Sequence, residues 1–136
     1  MEQTTGQTYA QSTQGVTVEV TPTYLDDRSS PEGNMYAYAY NVRITNERPV
    51  DVQLMNRHWR VYSAGRQVAD VKGEGVVGEQ PVLTPNETYE YTSWTIVQDS
   101  MGYMEGVYTF HAENGEFFDV TIPRFDLVYL DPEEMH

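Results

Sequence analysis

The amino-acid sequence predicts an all-β fold, two antiparallel sheets packed as a sandwich, on three observations. Apolar side chains recur at every second position in segment after segment. Gly and Pro, and the pair Asn114-Gly115, punctuate these segments at short intervals. No window keeps an apolar period of 3.6 residues over three turns, so helix content is expected near zero. With 136 residues the chain is long enough for one domain that buries roughly two-thirds of its unfolded surface, without a disulfide or metal staple.

Residues 1–14, rich in Gln, Thr and Ser without apolar periodicity, are expected to form a disordered leader, followed by a folded domain over 15–130 and an acidic tail over 131–136. Val16, Val18, Val20, Pro22 and Tyr24 alternate with polar residues, a half-buried strand whose proline suits a sheet edge. Asp26 to Asn34, with Pro31 and Gly33, is a turn region. Tyr36, Tyr38, Tyr40, Val42 and Ile44 then fill one face of a long strand. Val50, Val52 and Leu54 are even-numbered, whereas Trp59 and Val61 are odd, and this change of parity implies a bulge near Asn56.

Gly65 centres a tight turn from Ser63 to Arg66, and Val68 to Val71 is a short partner strand. Leu83, Pro85 and Tyr89 have the spacing of the corner in fibronectin-like sandwiches, where a tyrosine hydroxyl ties a crossover loop. Asp99 to Gly106, with two glycines, is expected to be a loop. Tyr108, Phe110 and Ala112 lead to Asn114-Gly115, expected as a type I′ hairpin turn, and Phe118, Val120 and Ile122 return. Pro123 follows, and Phe125 to Leu130 is expected to extend the last strand.

Twenty-one acidic residues against eight basic ones give a net charge of −13, the bases being seven arginines and Lys72. Such a chain repels phosphate backbones and anionic lipid, which argues against nucleic-acid and membrane-surface partners. Scarce lysine beside many acids suits a salty cytoplasm. The absence of cysteine excludes disulfides, thiolate metal sites and thiol nucleophiles. No apolar run approaches a membrane span, and residues 1–14 lack the basic and apolar regions of a signal peptide, so a cytoplasmic protein is expected.

Gly73-Glu74-Gly75-Val76-Val77-Gly78 matches G-x-G-x-x-G after a strand. That pattern binds a pyrophosphate when it opens a helix whose N-terminal amides and dipole hold the anion. Here Val76 and Val77 are poor helix formers, Pro81 follows closely, and Glu74 would sit beside the anion, so the glycines are expected to serve a tight strand crossover. Arg57, His58, Trp59 and Arg60 are the densest polar-aromatic cluster, a candidate surface for an acidic or phosphorylated partner, or else a core tryptophan flanked by charge-neutralising arginines. His58, His111 and His136 lack metal-ligand spacing, and His111 with Glu113 offers at most a weak divalent site. Ser63, Ser93 and Ser100 stand in no nucleophile elbow.

Several blocks, in order, resemble the ApaG family: Val42-Arg43-Ile44-Thr45-Asn46, Val52-Gln53-Leu54, Arg57-His58-Trp59 and the run from Val71 to Leu83. The likeness continues through Pro85, Glu87, Tyr89, Tyr91, Met101-Gly102, Met104-Glu105-Gly106 and Tyr108 to Phe118, Val120, Ile122-Pro123 and Phe125. The resemblance implies an immunoglobulin-like, fibronectin type III-like sandwich over 15–130. It also implies a bacterial stand-alone protein of unresolved biochemical role, encoded near a dinucleoside-tetraphosphate hydrolase and labelled with cobalt and magnesium efflux. A chain without a membrane span could take part in efflux only indirectly. Relatives inside F-box proteins and a DNA-polymerase-interacting protein look like interaction modules. The chain departs from the family pattern at Asn86 and Trp94, where glycine is usual, and at Ser100, where a nearby proline is missing.

These readings together point to a non-enzymatic binding module, without cofactor or metal, that presents Arg57, His58 and Arg60 to a protein partner. A monomer or weak homodimer is expected. The alternative is a small-ligand sensor for pyrophosphate, nucleotide or a divalent cation, with Gly73, Gly75 and Gly78 as its anion site.

Overall fold

Alternation of buried and more exposed side chains along most strands organises the computed structural model, which describes residues 7–130. Nine strands follow in order: β1 (Tyr9–Thr13), β2 (Val16–Tyr24), β3 (Tyr36–Asn46), β4 (Val52–Ser63), β5 (Arg66–Glu74), β6 (Val82–Leu83), β7 (Thr88–Val97), β8 (Met101–Ala112) and β9 (Phe117–Val128). One sheet has the order β1-β2-β3-β7 and the other β5-β4-β8-β9, with β6 paired to β4. All pairings are antiparallel. Two short 3₁₀ turns, Asp26–Arg28 and Pro31–Gly33, are the helical elements among the described residues. This is an immunoglobulin-like, fibronectin type III-like two-sheet sandwich.

The core lies between the sheets and is rich in aromatic side chains. Trp59 of β4 is buried and meets Tyr108 and Phe125 edge-to-face, at centroid distances of 6.2 and 5.9 Å. Such pairs contribute about 0.5–1.5 kcal/mol beyond area burial. The hydroxyls of Tyr91 on β7 and Tyr108 on β8 hydrogen-bond to each other, which ties one sheet to the other. Asn46 is fully buried and fully bonded: its Nδ2 donates to the carbonyls of Val50 and Leu83 at 2.8 and 2.9 Å, and its Oδ1 accepts from the Arg48 amide at 2.9 Å. That amide side chain anchors both crossovers at the end of β3.

The expected bulge is present. Leu54 pairs with Phe110 but Asn56 with Thr109, so Met55 is the extra residue that lets Leu54 and Trp59 both face inward. A second register shift falls between Met104 and Gly106, opposite the stretch of β9 that holds Pro123, which explains how a proline sits inside a strand. β1 pairs with β2 only as far as Val20, so Pro22 lies where β2 is itself the edge.

Three expectations are corrected. The leader is not disordered throughout: Tyr9–Thr13 is a strand, joined to β2 by a turn in which Gln14 and Gly15 take φ of 49° and 82°. Its side chains are mostly exposed and polar, and it is held by backbone pairing, by Tyr9 against Phe125 and by the Thr121 amide donating to Thr13 Oγ1 at 3.2 Å. Residues 1–6, the acidic tail 131–136 and His136 lie outside the described residues. The loop expected over Asp99–Gly106 is largely strand β8. Its glycines are there for backbone approach, since a Cβ on Gly102 or Gly106 would lie 2.4 Å or 2.2 Å from the carbonyl oxygens of Tyr62 or His58. Finally, only Gly115 of the Asn114-Gly115 pair has positive φ, and its amide donates to Ala112 at 3.0 Å, giving a type I turn closed by a left-handed glycine.

Candidate interaction site

The two flanks of the sandwich differ. Where β1 meets β9 the sheets are sealed by Tyr9, Phe125, Thr13 and Thr121. On the other flank β7 and β5 are both edge strands among the described residues, each hydrogen-bonded there on one side only, to β3 and β4 respectively. The segment from Gly73 to Glu87 crosses between them.

That crossover is built from tight turns, as the sequence predicts. The amides of Val76 and Glu79 exchange hydrogen bonds with each other's carbonyls at 2.8 and 2.9 Å. Val77 and Gly78 between them have φ of 43° and 82°, a two-residue turn of type I′. Gly75, with φ of 63°, is packed so closely that a Cβ would lie 2.1 Å from the Glu79 carbonyl oxygen. Its amide donates to Met55 at 2.8 Å. Thr84-Pro85-Asn86-Glu87 forms the next turn, with Asn86 left-handed at φ 69°. The tyrosine corner is realised through a carboxylate: Tyr89 donates to Glu79 Oε1 at 2.7 Å. Burial first, then the Glu79 carboxylate, push the Tyr89 hydroxyl up to about 12.

Arg57, His58 and Arg60 do not form one surface. Because side chains alternate along a strand, His58 and Arg60 fall on the outer face of the β5-β4-β8-β9 sheet and Arg57 on the inner one. His58 Nε2 lies 2.8 Å from Asp70, and Arg60 Nε lies 3.3 Å from Glu105, so both are paired with acids of the neighbouring strands. Arg57 stands opposite Gly73, and its guanidinium fills the space a side chain there would take, 2.8 Å from the position of a Cβ. Its Nη1 donates to the carbonyls of Glu74 and Gly75 at 2.9 and 2.8 Å. The motif therefore turns two of its carbonyls toward a cation. Among the described residues no carboxylate pairs with Arg57.

Arg57 lines a cavity of about 330 Å³ at the open flank, with Tyr40, Trp59 and Tyr91 inside it and Val71, Val77 and Trp94 at its mouth. Tyr91 has its hydroxyl raised by burial, as has Tyr40, which also hydrogen-bonds Ser93. The mouth is apolar and open: Val77 is 57% and Trp94 59% exposed. Trp94 stands on the outer face of β7 above Ala39, between this cavity and a groove containing Leu25, Asp27 and Arg28. Sequence reasoning did not assemble Tyr40, Arg57, Trp59, Val71, Val77, Tyr91 and Trp94, which come from four strands and the crossover turn. The available signal was parity, since Trp94 breaks the polar series Thr88, Glu90, Thr92 on its face.

No group of three or more His, Asp or Glu side chains among the described residues is arranged to hold a metal ion. His111 packs on the Phe117 ring at 4.6 Å. Ser63 is buried and donates to Asp99 at 2.7 Å, a structural bond without a histidine base.

The ApaG domain family matches residues 26–112, more than half of the chain. The ApaG proteins of Paramagnetospirillum magneticum and Rhodospirillum centenum are 50% and 47% identical over 119 residues, covering 88% of this chain and 92% of each relative. A crystal structure from Bordetella pertussis superposes with a TM-score of 0.81 at 43% identity, covering 84% of this chain and 93% of that one. In sequence and in sheet architecture alike, the chain belongs to the ApaG family.

Proposed function

We propose that this ApaG-type sandwich is a non-enzymatic protein-interaction module whose docking region is the open flank between β5 and β7. The observation that carries the reading is Val77. A β-branched residue at φ 43° is a backbone outlier, and this one is 57% exposed, where Asn or Gly would relieve the strain at no packing cost. Strain of this kind persists where the side chain is needed. Trp94, as exposed as Val77 and on the same rim, presents the residue type that most often anchors interfaces.

The small-ligand alternative has less support. The Gly75, Val76 and Glu79 amides are occupied by backbone carbonyls, and Glu74 and Glu79 place negative charge beside the turn. A part in cobalt or magnesium resistance would on this reading be exerted through a partner protein in the cytoplasm, and calorimetric titration with each ion checks it. The docking flank is tested by affinity capture with three forms of the chain. Val77→Asn with Trp94→Gly should lose the partners that wild type recovers, while His58→Ala with Arg60→Ala keeps them. The reverse pattern would refute the assignment.

A further inference from the structure

We infer that the segment docked at this flank is an extended stretch of a partner protein carrying an Asp or Glu side chain, its carboxylate held by Arg57 and its backbone laid along β7. The inference rests on the interaction-module reading and adds the chemistry of the occupant.

The charge argument comes first. In a chain of net charge −13, four of the seven arginines are paired with acids: Arg43 meets Glu19 and Glu90, Arg48 meets Glu116, Arg60 meets Glu105 and Arg124 meets Asp126, while Arg28, Arg66 and Lys72 stand exposed to solvent. Arg57 is half-buried at a cavity wall and, among the described residues, bonds only neutral carbonyls, through Nη1. A partly desolvated guanidinium with donors to spare is matched by the two oxygens of a carboxylate. A phosphate fits worse. It would bring more charge and more oxygens into a cavity lined, among the described residues, by one cation, whose other walls are largely aromatic or aliphatic and beside which the Gly75, Val76 and Glu79 amides are already bonded.

The edge argument is independent. β7 presents ten residues, Thr88–Val97, with one free edge, no proline, no lysine and a single charge, Glu90. Edge strands are ordinarily blunted by such features. β5, across the mouth, carries Arg66, Asp70, Lys72 and Glu74, and β1, at the far edge of the β7 sheet, is packed against β9. Ser93, Trp94 and Thr95 of β7 line the same cavity as Arg57. A strand added to β7 thus places alternate side chains over the cavity, the geometry of strand-addition recognition. A second copy of this strongly acidic chain is disfavoured by mutual repulsion.

The test is a random peptide library displayed on phage and panned against the full chain. Recovered peptides are synthesised with their acidic residues intact or as Asn/Gln, then measured by calorimetry and by amide shift mapping. Expected are peptides sharing an acidic residue among β-forming neighbours, with shifts along β7. Acid-to-amide exchange in the peptide and Arg57→Gln in the protein should each weaken binding at least tenfold, and together no more than either alone. The peptide exchange leaves the protein untouched, so the result does not depend on Arg57→Gln folding. Shifts along β7 with affinity indifferent to the exchange would overturn the carboxylate assignment and leave the docking flank standing. Shifts on the outer face near His58 and Arg60, no recovered binder, or a β7-dependent dimer in sedimentation would overturn both.

Discussion

Replacing the three motif glycines one at a time by alanine separates a turn-forming crossover from an anion cradle, because the structure ranks the three costs. At Gly78 the backbone is left-handed, φ 82°, and a Cβ would meet nothing within 4 Å. Its replacement should cost only the conformational penalty, about 1–2 kcal/mol. At Gly73, which is not left-handed, the Cβ would lie 2.8 Å from the Arg57 guanidinium, the movable end of a long side chain. Displacing it weakens two charge-assisted bonds to carbonyls, for about 1–3 kcal/mol. Gly75 combines φ of 63° with a Cβ 2.1 Å from a backbone oxygen that the paired turn holds in place. Conformational penalty and overpacking together give about 2–5 kcal/mol. Urea unfolding followed by tryptophan fluorescence should therefore place Gly75→Ala well below the other two in midpoint, with an unchanged slope. Equal midpoints for Gly75→Ala and Gly78→Ala would refute the reasoning, since glycines arranged for ligand access would not press against their own chain.

Val77→Asn should stabilise the fold by about 1 kcal/mol through relief of backbone strain, while weakening partner capture; thermal melts and capture on the same sample read both. Tyr38 is fully buried and its hydroxyl has no hydrogen-bond partner among the described residues, so Tyr38→Phe should leave the urea midpoint unchanged or raise it, by up to about 1 kcal/mol. Tyr108→Phe, which breaks the bond to Tyr91, should lower it by about 1 kcal/mol. Stability should fall at alkaline pH. Tyr38, Tyr91 and Tyr108 are raised above the ordinary tyrosine range by burial, and Tyr89 is raised to about 12. A folded-state value above the unfolded one gives stability that is complete below about pH 10 and is lost as pH rises through the folded values. Denaturant midpoints measured from pH 9 to 12 should decline beyond 10, in step with delayed tyrosinate absorbance.

The sequence made the fold legible wherever burial was one-sided. In β2, β3 and β9 apolar and polar residues alternate, and the bulge at Met55 announced itself because Leu54 and Trp59 differ in parity. β1 was hidden because it contributes hydrogen bonds and hardly any apolar surface, so composition and disorder look alike there. The first half of β8 was hidden because Gly102 and Gly106, residues of turns in most contexts, are required by a carbonyl passing close behind them. The site was legible only in part. The motif's role as a crossover followed from Val76, Val77 and Pro81. The separation of Arg57 from His58 and Arg60 was available from period two alone. The mouth was not, because Arg57, Tyr91, Val77 and Trp94 lie far apart in the chain and meet only when both sheets are in place.

The unlike flanks give the sandwich something of a bound book, stitched along one margin by its first strand and held along the other by a clasp, the Tyr91–Tyr108 bond and the Tyr89–Glu79 bond. The spread of the leaves is set by both fastenings, so a strand laid along the clasped margin meets a frame already fixed. The Thr13–Thr121 bond is one of those stitches, and cutting it would let the first page lift without disturbing the clasp.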